Sequence, residues 1–179
     1  EKFNDSKKLY EKLIKEFPNS NYVESASLSL AYTDKALGLD DEALAHFRSF
    51  SKGKFSSEKR QQAHYNALVI AANQNNLAEA IALGEDLLKA YRENIYKENV
   101  IYMLGTLYSK NKKYVQAAQL FLEFVETYPN SLEHTQAKFF YAYNLQLAKE
   151  FEKAINAYNE IELSDPTRDL YILALKNQA

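Results

Sequence analysis

Three histidines are the side chains of this sequence best suited to acid–base or metal chemistry, but their spacing supports neither. A metal-binding helix places two histidines three or four residues apart, whereas His46, His64 and His134 are much farther apart. The chain has no cysteine, which excludes disulfides, thiolate metal sites and thiol catalysis. We therefore expect each histidine to be a surface or packing residue, and we expect no metal or other cofactor.

The motifs of nucleophilic catalysis and phosphate binding are also missing from the sequence. No serine stands in a glycine-flanked nucleophile elbow, and the four glycines form no phosphate-cradling loop. Asp41, Glu42 and Glu79 fall at predicted helix starts, where negative charge is favourable without any catalytic role. The sequence predicts that this protein is not an enzyme.

Composition and charge narrow the class of partner. The 22 basic and 24 acidic residues are interspersed and give a net charge of −2, so no concentrated basic face for nucleic acid is predicted. No apolar run approaches the length of a membrane span. The sequence begins with Glu1 rather than Met, and we expect it to be a segment of a longer protein.

The elements that position these side chains are indicated by a repeat of 37 residues. Alanine stands at this interval at Ala43, Ala80, Ala117 and Ala154. Three further columns keep the same interval: Ala26, Ala63, Val100, Ala137 and Ala174; Phe50, Leu87, Phe124 and Ile161; and Phe47, Gly84, Phe121 and Tyr158. Several columns with one period indicate a helical repeat protein.

Each repeat contains two stretches with the apolar spacing of a helix. Ten helices are predicted, at residues 5–17, 20–37, 40–52, 57–74, 77–92, 95–111, 114–128, 131–148, 151–163 and 166–178. Gly38 is expected to end a helix in the left-handed conformation and Asp40 to cap the next. Asn76 with Glu79 resembles a capping box, and Asp165 before Pro166 predicts a further helix start. Short connections between helices favour antiparallel pairs.

Two of the repeats resemble the tetratricopeptide repeat family. Residues 98–131 carry the pattern through Gly105, Tyr108, Ala117, Phe121 and Pro129. Residues 135–166 carry it through Tyr141, Ala142, Phe151, Ala154, Tyr158 and Pro166. The resemblance implies an all-α fold, a right-handed α-solenoid of antiparallel helix pairs. Residues 1–179 would form one array of about four full pairs with a lone helix at each end.

The earlier repeats depart from the family pattern. Asp34 and Ala71 replace the aromatic residue aligned with Tyr108, and Gly84 replaces the one aligned with Phe121. The connections at 17–20 and 128–131 read Phe-Pro-Asn-Ser and Tyr-Pro-Asn-Ser. They are similar to those of bacterial envelope members such as the β-barrel assembly lipoprotein and the Tol–Pal periplasmic coordinator. This similarity implies a periplasmic or outer-membrane-associated location.

The family resemblance also implies where a partner binds, because the first helix of each pair lines the concave face. The residues expected there are Tyr32, Tyr65, Asn66, Asn73, Asn99, Tyr102, Lys110, Phe139, Tyr143 and Gln146. Aromatic rings beside amides suit an extended peptide. The alternative for Tyr65, Tyr102 and Phe139 is packing between repeats, and for Lys110 a solvated helix end. Tyr32 and Tyr143 are expected to be the more exposed aromatics.

Three functions are compatible with this sequence. The leading one is a non-catalytic scaffold that binds a peptide or protein segment in the concave groove. The others are a structural or self-assembly spacer that associates through the chain ends, and an accessory module bound to glycan or peptidoglycan. Of the residues at the positions with which some family members clamp a chaperone's C-terminal carboxylate, only Asn66 matches, so that partner is not expected.

Overall fold

The computed structural model describes residues 2–91 and 93–161, and all regular secondary structure in these ranges is α-helical. The helices are α1 (Lys2–Glu16), α2 (Val23–Ala36), α3 (Asp40–Lys52), α4 (Ser57–Asn73), α5 (Leu77–Ala90), α6 (Lys97–Lys110), α7 (Tyr114–Thr127), α8 (His134–Leu147) and α9 (Phe151–Asn159). Each confirms a predicted helix, with a start that differs by at most three residues. The predicted helix 166–178 and the Asp165–Pro166 start lie outside the described residues.

The helices form two compact units, Glu1–Tyr96 and Lys97–Ala179. In the first unit the consecutive helices from α1 to α5 pack against one another, and in the second unit the consecutive helices from α6 to α9 do so. Since short turns join these packed neighbours, successive helices run antiparallel. Each unit is thus a helical repeat array, in which α2, α4, α6 and α8 are the first helices of their pairs.

The turn inside each pair is the same at all four described positions. Its central residue is in the left-handed conformation, with φ of 72° at Gly38, 58° at Asn75, 59° at Lys112 and 64° at Lys149. The central N–H donates to the carbonyl three residues back, and the next N–H donates to the carbonyl five back. This is the Schellman helix end. The predicted role of Gly38 is confirmed, and the same turn recurs every 37 residues.

The expected capping of α3 by Asp40 is wrong. Leu39 is the N-cap, with no side-chain hydrogen bond to the helix start, and Asp40 is already helical. The Schellman turn makes the residue after Gly38 the N-cap, because its carbonyl accepts from Ala43. Asn76 is the N-cap of α5, since its side chain accepts from the Glu79 N–H at 3.4 Å. The reciprocal bond of a capping box is not formed, because the Glu79 carboxylate accepts from the Asn76 side-chain amide at 2.9 Å and the Asn76 backbone N–H donates to Ala71.

The two proline-containing connections are also alike. The N–H of Ser20 donates to the Phe17 carbonyl, and the N–H of Ser131 donates to the Tyr128 carbonyl. Each serine hydroxyl then accepts from a backbone N–H two residues farther along. These turns occupy residues that the sequence assigned to helices, which explains why α2 and α8 begin three residues later than predicted.

Small residues permit the close helix crossings. The alanines at 43, 80, 117 and 154 are fully buried. A Cβ atom added to Gly105 would lie only 2.9 Å from Cζ of Phe121, so α6 approaches α7 as closely as a glycine allows. Gly105 and Phe121, two residues of the family pattern, therefore pack together at this crossing.

A buried ion cluster stands where the first repeat departs from the family pattern. The Asp34 carboxylate is fully buried, 2.7 Å from Nζ of Lys7 and 2.6 Å from Nδ1 of His46. The contact with Asp34 raises the pKa of Lys7. Since Lys7 lies on α1 and His46 on α3, this carboxylate on α2 links three helices.

Candidate functional site

The predicted partner-binding residues lie on the first helices of the pairs. A helix turns by about 100° per residue, so spacings of three, four, seven and eleven residues return to one side. The α4 stripe contains Asn66 and Asn73, flanked by Tyr65 about 100° round the helix; the α6 stripe contains Asn99, Tyr102 and Lys110; and the α8 stripe contains Phe139, Tyr143 and Gln146. We call the surface formed by these stripes, with Tyr32 on α2, the first-helix face of each unit.

In the first unit a hydrogen-bonded network joins α2 to α4. Nδ2 of Asn66 donates to the Tyr32 hydroxyl at 3.0 Å and to the Gln62 carbonyl at 2.8 Å. Nζ of Lys35 donates to Oδ1 of Asn66 at 3.3 Å. Because both ends of the amide are engaged, Asn66 holds Tyr32 and Lys35 in fixed positions on this surface.

Two tyrosine rings form a stacked pair beside this network. The rings of Tyr65 and Tyr96 lie 4.5 Å apart between centroids and are nearly parallel, with an interplanar angle of 6°. Tyr96 precedes α6 in the chain but belongs to the first unit. The stack gives this face a flat aromatic surface, because both rings are only half-buried.

The tyrosines of this face are neutral at physiological pH, and partial burial raises their pKa further above the ordinary value of about 10. Burial raises the pKa of Tyr32, although the hydrogen bond from Asn66 opposes the shift. Burial also raises the pKa of Tyr65, and the nearby Tyr96 adds to the effect. The hydroxyls therefore remain protonated and available as hydrogen-bond donors.

In the second unit Tyr102 packs between helices. Its ring meets Phe121 edge-on at 5.7 Å and Phe124 at 5.3 Å, both on α7, and lies 6.3 Å from Phe140 on α8. Burial raises the pKa of Tyr102, and Glu133 adds to this shift. For Tyr102, the geometry favours the packing alternative over a purely ligand-facing role.

The α8 stripe combines packing with exposed edges. Phe139 stacks on Tyr143 at 6.2 Å and meets the buried Tyr158 edge-on at 5.7 Å. Oε1 of Gln146 accepts from the Tyr158 hydroxyl at 3.3 Å. Phe139 and Gln146 thus both contact Tyr158 of α9.

The exposure expected for Tyr32 and Tyr143 is not observed, since both are half-buried like the other aromatics of the face. Tyr32 is covered because its ring packs edge-on against Phe47 at 5.0 Å, and Tyr143 because it stacks on Phe139. The fully exposed members of the predicted set are Asn73, Asn99 and Lys110.

Two residues of the first-unit face, Lys35 and Tyr96, were not identified from the sequence. Tyr96 lies in a connection, and the residues one period away, Lys59 and Glu133, are not aromatic. Lys35 aligns with Ala72, which has no polar group. Neither residue belongs to a repeated column, so only the folded geometry reveals them.

The face offers aromatic surface, fixed hydrogen-bonding groups and an ammonium, which are means of binding rather than of bond cleavage. Within the described ranges, no group of three or more histidine, aspartate or glutamate side chains is placed to hold a metal ion. Among the same residues, no helix is both long and apolar enough to cross a membrane.

Comparisons with known proteins identify the repeat. Two family models described as tetratricopeptide repeat match the chain, one at residues 1–20 and 99–131 and the other at residues 28–95. No curated protein sequence matches the chain.

Several solved structures share the fold. MamA from Desulfovibrio magneticus aligns with a TM-score of 0.66 and 16% identity, over 87% of this chain and 84% of that chain. A tetratricopeptide repeat protein from Parabacteroides merdae aligns with a TM-score of 0.66 and 16% identity, over 98% of this chain and 65% of that one. YrrB, described as having an unusual peptide-binding site, aligns at 0.62 with 22% identity, over 88% and 75%. At these identities the likeness concerns the fold alone.

Proposed function

Because this chain belongs to the tetratricopeptide repeat family, we propose that it is a non-catalytic interaction scaffold that binds an extended peptide or protein segment in a concave groove lined by its first helices. The observation that carries this proposal is the first-unit face. There, the Tyr32–Asn66–Lys35 network lies beside the Tyr65–Tyr96 stack. YrrB supports the proposal as a protein of this fold with a peptide-binding site.

The first-unit face matches the needs of a peptide ligand. The Tyr32 hydroxyl accepts from Asn66 but has no acceptor for its own proton among the described residues, so it is available to a peptide carbonyl. The Tyr65–Tyr96 stack offers a flat surface to an apolar or aromatic side chain. Since Asn66 already fixes Tyr32 and Lys35, little side-chain entropy is lost on binding.

The proposal is tested by selecting peptides from a random display library on the immobilised protein. Their affinity is then measured for three chains: the unaltered protein, Tyr65→Ala and Tyr22→Ala. We expect Tyr65→Ala to weaken binding at least about tenfold, because interface tyrosines commonly contribute more than 1.4 kcal/mol. Tyr22→Ala is the matched control, since Tyr22 is 72% exposed and lies in the α1–α2 connection of the same unit. Equal affinities for all three chains would place the binding site elsewhere.

Glycan binding is distinguished in the same experiment. Peptidoglycan fragments added as competitors leave peptide binding unchanged if the face is specific for peptides.

A bacterial envelope location remains a prediction, and fractionation of cells that carry the full-length protein would test it.

A second candidate function, self-association, is favoured by the surface of α1. This helix has no buried residue, and Phe3, Leu9 and nearby Phe17 expose more than half of their surface. Several large apolar side chains exposed on one helix and at its end favour contact with another protein molecule. If α1 mediates self-association, sedimentation velocity will show a concentration-dependent dimer that Leu9→Lys abolishes and Tyr65→Ala does not.

A further inference from the structure

The first unit contains a concave site separate from the first-helix face. It is a cavity of about 560 Å³ between α3 and α5, with α4 at its floor. This volume is within the range of about 300–1,000 Å³ typical of small-ligand sites. Arg60 and His64 face the cavity from α4, whereas Asn66 lies two residues, or about 200°, farther round the same helix.

The cavity carries an excess of positive charge. Nη1 of Arg48 lies 2.6 Å from Oε1 of Glu79, so these two residues neutralise each other across α3 and α5. The other charged side chains that line the cavity are Lys52, Arg60, Lys89 and Asp86. Three cations therefore face one carboxylate, in a chain whose net charge is −2.

Arg60 is the cation best placed to bind a ligand. Its Nε atom is buried and has no hydrogen-bond partner among residues 2–91 and 93–161. Its guanidinium carbon lies 5.9 Å from the centroid of the Tyr91 ring, which holds the side chain over an aromatic surface. Because this Nε atom has almost no accessible surface, a ligand in the cavity would meet the guanidinium through its two terminal Nη groups.

His64 adds a neutral polar group to the same cavity. Burial lowers the pKa of His64, and Lys52 lowers it further, while Asp86 and the Leu83 backbone oppose the shift. The imidazole is therefore neutral at physiological pH, and its one N–H donates to the Leu83 backbone carbonyl.

We propose that this cavity binds a carboxylate group, with the Arg60 guanidinium as its principal ligand. The two terminal Nη groups of the planar guanidinium match a carboxylate in a bidentate arrangement. Asp86 opposes a phosphate dianion more strongly than a singly charged carboxylate. The proposal does not depend on peptide binding at the first-helix face, because the two sites use different sides of α4.

The test is a nuclear magnetic resonance titration of the whole chain with acetate, with inorganic phosphate and with the capped peptide acetyl-Ala-Glu-Ala-amide. Acetate is expected to shift the Arg60 Nε–H signal saturably and to raise the pKa of His64, because a bound negative charge favours the imidazolium. Saturation by acetate but not by the peptide identifies a small-molecule carboxylate. Saturation by the peptide, but not by its Gln counterpart, shows that a protein side chain is also accepted.

Variants distinguish a specific carboxylate-binding site from non-specific electrostatic attraction. Arg60→Gln is expected to weaken acetate binding at least about tenfold, and Arg60→Lys nearly as much, since lysine keeps the charge but loses the fork of donors. Lys8→Gln removes one positive charge from the exposed surface of α1 and should leave acetate binding unchanged. An unmoved His64 pKa in the unaltered protein, tighter binding of phosphate than of acetate, or equal loss in Arg60→Gln and Lys8→Gln would each overturn the proposal.

Discussion

At the scale of single residues, the side chains that depart from the repeat pattern carry the most specific contacts. Asp34 replaces an aromatic residue of the family pattern, is ion-paired to Lys7 and is hydrogen-bonded to His46. A buried carboxylate costs desolvation energy that only close partners offset. The stability of the first pair of helices therefore depends on this cluster.

The change Asp34→Asn is expected to lower the free energy of unfolding by about 1–3 kcal/mol. The loss stays moderate because Lys7 and His46 are partly exposed and can be rehydrated. Urea denaturation measures it. Asp40→Asn, at the exposed start of α3, is the control and should cost less than about 1 kcal/mol. Equal losses in the two variants would contradict a stabilising role for the cluster.

His64 predicts a pH dependence of stability. Its pKa in the folded protein is lowered, chiefly by burial, so the unfolded chain binds more protons than the folded chain below the ordinary pKa of about 6.5. The contribution of His64 is fully present above that pH and is lost as the pH falls towards its folded pKa. The charged groups that act on the ring are Asp86 on α5 and Lys52 on α3, and Arg60 and Lys89 line the same cavity.

Thermal melts from pH 7.5 to pH 5.5 test this dependence. The unaltered protein is expected to lose stability over this interval, and His64→Gln to lose less, because glutamine does not titrate. His46 and His134 remain in both chains, so the difference between the melts isolates His64. Parallel pH profiles would show that burial of His64 does not govern the response.

The sequence predicted residues of the first-helix face well only where they recur at the 37-residue interval. The tyrosines of the first helices were found because they stand in columns, whereas Tyr96 and Lys35 stand in none. The partners of Asp34 lie 27 and 12 residues away on other helices, and the periodicity gives no indication of such pairs.

At the scale of elements, the repeated unit is defined by its turns as much as by its helices. Positive φ angles occur at residues 38, 75, 112 and 149, always one period apart. Only the first is glycine, so three of the four turns hold a side chain in a conformation that L-residues rarely adopt.

Lys112→Gly is therefore expected to stabilise the second unit. Removing the strain of a left-handed lysine should outweigh the added flexibility of the unfolded chain and raise the free energy of unfolding by about 0.5–1 kcal/mol. Lys8→Gly, inside α1, has no such strain to relieve and should lower stability by about 1 kcal/mol. Denaturation curves of the two variants measure both changes in the free energy of unfolding. A lower free energy of unfolding in Lys112→Gly than in the unaltered protein would contradict the proposed strain in the turn.

Helices were more predictable than the connections between them. Apolar spacing and alanine columns located all the described helices, but they did not reveal the shared turn conformation, because glycine, asparagine and lysine have no common chemistry. The serine-stabilised turns at 17–20 and 128–131 were likewise assigned in part to helices, since their polar residues do not interrupt a helical pattern strongly.

At the scale of the whole molecule, the 37-residue period predicted the repeat array, and the residues at its spacing indicated the family. The period also placed the tyrosines of α4, α6 and α8 on the first helices of their pairs. It did not predict that the two units would differ, with a polar network and a half-buried tyrosine stack in the first and aromatic packing in the second. Those differences arise from residues outside the columns.

The central claim is that a peptide binds the first-helix face, and mapping a selected peptide by chemical-shift perturbation tests it most directly. We predict that the largest shifts occur at the Asn66 side-chain amide and at the backbone amides of Tyr32, Tyr65 and Tyr96. If those signals stay in place while signals of α1, or of α3 and α5, move with saturation, the claim is contradicted.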